Sequence, residues 1–178
     1  MLTANRRATW PLIPFVAFLI LSSAPVGRGQ SGAVSTSAQL LVIGDVAKPL
    51  SLSLDDLRHM SRTTVKAKNE HAEQEETYEG VPLAALLKQA GTPQGSQLRG
   101  KAMATYVLAE GTDGYQVLFS LAELDSDFHD SEVLGADTLD GKPLNDKLGP
   151  LRLVAPHDKR PARWVRTLHS IKVVSVSK

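Results

Sequence analysis

The pattern of apolar and polar residues predicts a chain of short strands interrupted by three short helices. Runs that are rich in β-branched residues, or that alternate apolar with polar side chains, predict strands at 39–46, 63–68, 75–78, 102–110, 115–119, 151–155 and 168–176. The polar stretch at 69–76 is expected to form a loop or the tip of a hairpin.

The strongest helix signal lies in residues 81–91. Apolar residues recur there at the spacing of one helix face, namely at Leu83, Leu86, Leu87 and Ala90. Pro82 is predicted to occupy the first helical position, where its missing N–H is not needed, and Gly91 is predicted to end the helix.

Two further helices are predicted from their capping residues. Ser53 is a suitable N-cap for a helix over 54–60, and Asp56 lies in the first turn of that helix. Ser120 and Glu123 have the spacing of a capping box, which predicts a third short helix after the strand at 115–119.

Two Asp-Gly pairs predict tight turns. The first lies in residues 112–114 and joins the strands at 102–110 and 115–119 into a hairpin. Both faces of the first of these strands carry apolar residues, so we expect it in the middle of a sheet rather than at an edge. Asp140 and Gly141 predict the second turn.

The N-terminal residues have the pattern of a signal peptide. Arg6 and Arg7 precede an apolar run at 11–21, and small residues follow at 22–27. We therefore expect residues 1–29 to be a signal peptide. An uncleaved membrane anchor or a core helix fits less well, because the apolar run is short and contains two prolines.

This signal predicts a periplasmic or secreted protein. Cleavage after Gly29 and cleavage after Ala33 both fit the preference for small residues, and the general secretory and twin-arginine routes both stay open. The expected organisation is a flexible linker over 30–38 and one domain over 39–178.

The composition excludes several kinds of chemistry. The chain has no cysteine, so it provides no disulfide, thiolate metal ligand, iron–sulfur cluster or cysteine nucleophile. None of its five histidines has the spacing of a local zinc motif. Without the three arginines of residues 1–30, the remainder has 17 basic and 19 acidic residues, and only 5% of the chain is aromatic. We therefore expect no nucleic-acid partner.

Charge is strongly polarised within the predicted domain. Residues 110–146 contain ten acids and one base, whereas residues 147–178 contain eight bases and one acid. A basic group follows the strand at 151–155 and comprises His157, Lys159, Arg160, Arg163 and Arg166. Such a group suits a planar anionic ligand, because arginine binds phosphate or carboxylate and stacks on rings. Pairing of these arginines with the acidic half is the alternative, and spacing alone leaves both open.

The neighbours Arg163 and Trp164 face opposite ways if the chain is extended there. We expect Trp164 to be a core residue and Arg163 to point outward toward a ligand. In the alternative arrangement Trp164 lines the pocket and Arg163 pairs with an acid.

Four segments of the chain resemble the molybdopterin-binding domain of the sulfite oxidase family, in a small exported single-domain form. They are residues 78–87 (YEGVPLAALL), 113–115 (DGY), 140–144 (DGKPL) and 149–156 (GPLRLVAP), the last of which runs into 163–165 (RWV). The resemblance implies a compact α+β fold with a mixed sheet and a β-rich half. It also implies that the basic residues before the Trp-Val pair help to bind a pterin, and these are His157, Lys159, Arg160 and Arg163.

The sequence differs from this family in the residue expected to bind the metal. Catalytic members bind molybdenum through a cysteine, and the corresponding region here, roughly 68–76, offers only His71 as a metal-binding side chain. One histidine is a poor replacement for a thiolate at a molybdenum dithiolene centre, so we do not expect cysteine-ligated molybdenum. His71 and Tyr115, which follows the first Asp-Gly turn, complete the predicted site for a pterin or molybdopterin.

Two classes of function follow from this resemblance and its departure. The favoured class is a non-catalytic exported module that binds a pterin or another planar anion in envelope signalling, with a membrane signalling partner. The other class is a molybdopterin-dependent oxidoreductase, or an accessory subunit of one, without a cysteine ligand. A scaffold without a small ligand is the remaining alternative. The ligand, the partner and the oligomeric state are not determined by the sequence.

Overall fold

The computed structural model describes residues 38–68, 74–130 and 132–176. The expected signal peptide, nearly all of the expected linker and His71 lie outside the described residues. The strands are β1 (Gln39–Gly44), β2 (Leu50–Ser53), β3 (Thr63–Lys68), β4 (Glu75–Pro82), β5 (Thr105–Gly111), β6 (Gln116–Ser120), β7 (Leu134–Leu139), β8 (Lys142–Pro143), β9 (Arg152–Val154) and β10 (Leu168–Ser175). The α-helices are α1 (Leu54–Arg58) and α2 (Leu83–Gln89). Single 3₁₀ segments cover Gly95–Gln97, Gly100–Ala104, Ala122–Leu124 and Pro161–Arg163.

The strands form two sheets, which gives the α+β fold expected from the sequence. In the first sheet the strand order is β2-β1-β10-β5-β6, with β1 and β10 parallel and the other neighbours antiparallel. In the second sheet β4 lies between β3 and β7, and β8 and β9 both pair with β7. The predicted central position of β5 is confirmed, because β10 and β6 flank it.

The hydrophobic core takes one face of each sheet together with α2. Alternate residues of the first sheet, such as Val42, Val107 and Ile171, are fully buried and belong to the same cluster as the α2 leucines. From the second sheet, Tyr78 and Leu153 are also fully buried in this cluster. Burial alternates residue by residue along β5 and β6, which is the pattern expected of a strand with one face in the core. The strands β2 and β7 were not predicted from the sequence.

The helix predictions are confirmed in position and corrected in detail. Ser53 and Asp56 form both hydrogen bonds of a capping box at α1. The prediction that Pro82 occupies the first helical position is wrong, because Pro82 still pairs with Leu134 in the sheet and α2 begins at Leu83. Gly91 follows α2 with a φ of 78°, a left-handed conformation that favours glycine. In the described parts of the chain, no helix has the length and apolar character needed to cross a membrane.

Two other elements differ from expectation. The strand predicted from residue 102 begins only at Thr105, because Gly100–Ala104 forms a 3₁₀ helix. The third predicted helix is a single 3₁₀ turn at Ala122–Leu124, although Ser120 and Glu123 do form the reciprocal capping hydrogen bonds. The capping residues therefore predicted the position of a short helix, which the structure shows as a single 3₁₀ turn.

Candidate functional site

Two arginines reach the same cavity because the segments that carry them lie side by side. The backbone N–H of Leu153 donates to the Val165 carbonyl at 2.8 Å, and that of Leu168 donates to the Leu151 carbonyl at 2.9 Å. Arg152 lies within the first segment and Arg166 within the second. Both side chains line one cavity.

The tip of the β5–β6 hairpin is fastened onto this pair of segments. The Thr112 N–H donates to the Thr167 carbonyl at 3.0 Å, and the two threonine hydroxyls are 2.8 Å apart. Asp113 accepts a hydrogen bond from the Tyr115 N–H at 3.0 Å, and the Tyr115 hydroxyl donates to the Ala162 carbonyl. The hairpin thereby supplies one wall of the cavity.

We call this space the arginine cavity. Its volume is about 430 Å³, a size suited to a small organic ligand. The residues that line it are Glu76, Asp113, Tyr115, Leu148, Arg152, Pro161, Trp164 and Arg166. It therefore combines two cations, two acids and two aromatic rings.

Arg152 is a partly buried cation of the cavity with one unsatisfied donor. Its Nη1 donates to the Tyr78 hydroxyl at 2.9 Å, but its buried Nε has no hydrogen-bond partner in the described structure. It forms no salt bridge with any described residue. Its guanidinium lies over two rings instead, 5.6 Å from the Tyr78 centroid and 5.0 Å from that of Trp164.

Burial lowers the pKa of Arg152, although the interactions with Tyr78 and Glu76 act to raise it, and the nearby charge of Arg166 adds to the lowering. Arginine nevertheless stays protonated in proteins, so a partly desolvated cation faces the cavity. An anion bound there would offset the free-energy cost of burying the Arg152 charge, and it would reduce the repulsion between the two guanidinium groups.

The acidic side of the cavity is connected to Arg152 through Tyr78. The Tyr78 hydroxyl donates to Glu76 Oε2 at 2.6 Å while it accepts from Arg152. Burial, followed by the hydrogen bond to Glu76, raises the pKa of Tyr78. The phenol thus stays protonated and holds the carboxylate and the guanidinium at fixed positions.

Arg163 is not the free cation that we expected. Its guanidinium donates twice to Asp158, at 2.6 and 2.9 Å, and once to Glu123 at 2.9 Å, and it lies 4.3 Å from the Phe119 ring centroid. The hydrogen bond to Asp158 is the main reason that the pKa of Arg163 is raised. The expectation of an outward, unpaired Arg163 is therefore wrong.

The other part of that expectation, that Trp164 is a core residue, is confirmed. Only 6% of the Trp164 surface is exposed, and its Nε1 donates to the Ala155 carbonyl at 2.9 Å. The remaining surface of Trp164 lines the arginine cavity. Core packing and a place in the cavity wall thus occur together at this residue.

The other predicted site residues are spread over the surface. His157 and Arg163 share a small space of about 200 Å³, and Tyr115 lines the arginine cavity. Lys159 and Arg160 are exposed and are not among the residues that line the arginine cavity. His71 lies outside the described residues. A ligand-binding role for His157, Lys159 and Arg160 stays a prediction.

A larger cavity, of about 530 Å³, lies elsewhere and contains His129 and His157. Asp130 and Glu132 also line it, together with apolar residues such as Leu124 and Val133. No group of three or more His, Cys, Asp or Glu side chains in the described structure is placed to hold a metal ion. The arginine cavity is the better candidate site, because it contains two arginines that form no salt bridge with any described residue, and one of them is partly buried.

The sequence interpretation missed Arg152 as a site residue. One signal was available, since Arg152 is the only charged residue in a strand that is otherwise apolar over 151–155. A charge in such a strand needs a partner or a ligand. Glu76 and Asp113 had no comparable signal, because acids are common in the segments that carry them.

Comparison with known proteins agrees with the fold. The crystal structure of the sulfane dehydrogenase SoxCD from Paracoccus pantotrophus is similar, with a TM-score of 0.59 and 24% sequence identity over 77% of this chain. The match covers 38% of the SoxCD chain, so the present chain spans less than half of that length. At this identity the likeness concerns the fold alone. A search of curated protein sequences found no match.

The family assignment rests on the sequence profile. The profile of the oxidoreductase molybdopterin-binding domain matches residues 31–178, which is most of the chain and includes all four of the segments noted above. The chain therefore belongs to the oxidoreductase molybdopterin-binding domain family.

Proposed function

We propose that this protein is an exported, non-catalytic module that binds a pterin or another planar anion in the arginine cavity. In this proposal it acts in envelope signalling, and it signals to a membrane partner whether the cavity holds a ligand. Arg152 is the observation that carries the proposal, since it is a partly buried cation with an unsatisfied Nε and forms no salt bridge with any described residue.

The residues of the cavity suit the organic part of molybdopterin. Arg152 and Arg166 would hold its phosphate, since guanidinium groups bind phosphate oxygens in pairs. The exposed ring of Tyr115 offers a surface on which a pterin can stack, and 47% of that residue is accessible. Glu76 and Asp113 would accept hydrogen bonds from the amino and ring N–H groups.

The metal part of the cofactor fits less well. Molybdopterin supplies oxygen-atom transfer chemistry when it carries molybdenum, but this chain offers no thiolate to bind that metal. The proposed role is therefore binding without a cysteine-anchored metal.

Binding of 6-hydroxymethylpterin monophosphate, followed by quenching of pterin fluorescence, tests the proposal. We expect Arg152→Ala to raise the Kd at least tenfold, because a charge-assisted hydrogen bond contributes about 1.5–3 kcal/mol. Arg99→Ala is the matched control, since Arg99 is exposed and does not line the cavity. Equal affinity of the wild-type protein and Arg152→Ala would contradict the proposal.

Family membership supports one alternative, a molybdopterin-dependent oxidoreductase or an accessory subunit without a cysteine ligand. Elemental analysis of protein purified from its native envelope separates the two. Stoichiometric molybdenum would favour the alternative, whereas metal-free pterin released by the protein would favour the binding module.

Export is part of the proposal and has its own test. The charged start, the apolar run and the small residues that follow support a mature N-terminus between residues 25 and 38. N-terminal sequencing of the protein from cell fractions checks this, and intact Met1 on soluble cytoplasmic protein would contradict it.

A further inference from the structure

The outer face of the first sheet combines a group of apolar residues with serines and a glutamine. In register across its strands, Ile43 lies beside Lys172, Lys172 beside Leu108, and Leu108 beside Leu118. Because opposite residues in neighbouring strands share a face, these side chains form one row across the sheet. The next row, which contains Val174 and Tyr106, lies on the same face.

This face is accessible, in contrast to the opposite face, which forms the core. Ile43 and Leu118 expose 38% and 51% of their surfaces, and Leu41, Tyr106, Leu108 and Val174 are half-buried. A contiguous group of apolar side chains on a sheet face marks an interaction surface more often than isolated exposed residues do. We call these six residues the outer apolar face.

Two opposite charges stand within the outer apolar face. Ser170 pairs with Glu110 and Lys172 pairs with Leu108 in the same ladder, so Lys172 and Glu110 are diagonal neighbours on this face. Neither residue forms a salt bridge with any other described residue. The face thus presents one cation and one anion a short distance apart. Lys172 lies between Ile43 and Leu108, whereas Glu110 lies between Ser170 and Gln116.

We propose that the outer apolar face joins two copies of this chain in a symmetric dimer. A two-fold interface brings the same surface of both copies together, so a surface that carries both charges is complementary to itself. A two-fold axis that passes between Lys172 and Glu110 places Lys172 of each copy opposite Glu110 of the partner subunit. The apolar residues around them supply the buried area, and the charges set the register. The arginine cavity plays no part in this inference.

Sedimentation equilibrium of the purified protein over the micromolar range tests the dimer. We expect the wild-type protein to have twice the mass of one chain, and Leu118→Glu to shift it to a single chain. Because Leu118 is solvent-exposed in one copy, this substitution should leave the melting temperature of the dilute protein unchanged. A wild-type protein with the mass of one chain throughout the range would overturn the proposal.

Charge reversal tests the register. Lys172→Glu and Glu110→Lys should each raise the dimer Kd about tenfold or more, because like charges are then opposed across the interface. The double variant restores the opposite pairing and should return the Kd close to that of the wild-type protein. Lys142→Glu, at an exposed position of β8 in the other sheet, is the control and should have no effect. Failure of the double variant to recover would overturn the proposed arrangement.

Discussion

The guanidinium carbon of Arg152 lies 5.0 Å from the centroid of the Trp164 ring. Tyr78 meets the same indole edge-on, with 5.5 Å between the ring centroids and 86° between their planes. The three side chains form a continuous contact from the core to the arginine cavity. Changes at Trp164 should therefore affect both stability and ligand binding, whereas changes at Arg152 should mainly affect binding.

Trp164→Ala should lower the free energy of unfolding by about 3–5 kcal/mol, because it removes a large buried ring and leaves a cavity. Trp164→Phe keeps a ring and loses the hydrogen bond to Ala155, which should cost about 1 kcal/mol from that bond. Urea unfolding measures both. Equal destabilisation by the two substitutions would contradict the packing role of the indole.

The ionisation of Glu123 should make the stability of the protein depend on pH. Burial acts to raise its pKa, but the hydrogen bonds from Arg163 and Ser120 outweigh burial and hold the pKa below the ordinary value of 4.5. A carboxyl with a lowered folded pKa stabilises the protein above its unfolded pKa, and this stabilisation is lost as pH falls through the folded value. Glu123→Gln should therefore lower the melting temperature near neutral pH. On acidification, the melting temperature of this variant should fall by less than that of the wild-type protein.

Melting temperatures measured from pH 7 down to pH 3 check this expectation. Glu132→Gln is the matched control, because Glu132 is exposed and forms no salt bridge with any other described residue. Parallel pH profiles for the wild-type protein and Glu123→Gln would show that the ion pair with Arg163 contributes nothing.

Gly80 should not tolerate a side chain. A Cβ at this position would lie 2.2 Å from the carbonyl oxygen of Gly135 and 2.5 Å from the Cα of Ala136, so β4 and β7 would have to separate. Gly135→Ala is the matched control on the facing strand, since a Cβ there meets nothing closer than 3.8 Å. We expect Gly80→Ala to unfold readily or to fail to accumulate, while Gly135→Ala melts near the wild-type temperature. Similar melting temperatures for the two variants would contradict this.

Alanine substitutions separate the two versions of the ligand site. If the ligand occupies the arginine cavity, Arg166→Ala should weaken binding of the pterin phosphate, and Lys159→Ala and Arg160→Ala should leave the Kd within about twofold. The reason is that Arg166 lines the cavity and the other two do not. Fluorescence titration measures all three, and larger losses at Lys159 and Arg160 would restore the site expected from the sequence.

Much of the fold was predictable, because its elements depend on local patterns. The spacing of Leu83, Leu86 and Leu87 predicted the buried face of α2, and the Asp-Gly pairs predicted both tight turns. Errors occurred where a long-range contact overrides a local preference. Pro82 suits the start of a helix, but pairing with Leu134 across the sheet keeps it in β4.

The binding site depended much more on tertiary structure. The sequence determined that a basic segment follows β9, that Trp164 is suited to the core and that no cysteine is present. Only the tertiary structure decided which basic side chains have acidic partners. Arg163 is neutralised by Asp158, five residues away, and by Glu123, which is 40 residues away along the chain. Tyr78 is 74 residues from Arg152 and contributes a neutral hydroxyl. Charges separated by such distances in sequence are brought together by strand pairing, and sequence spacing carries no record of which ones will meet.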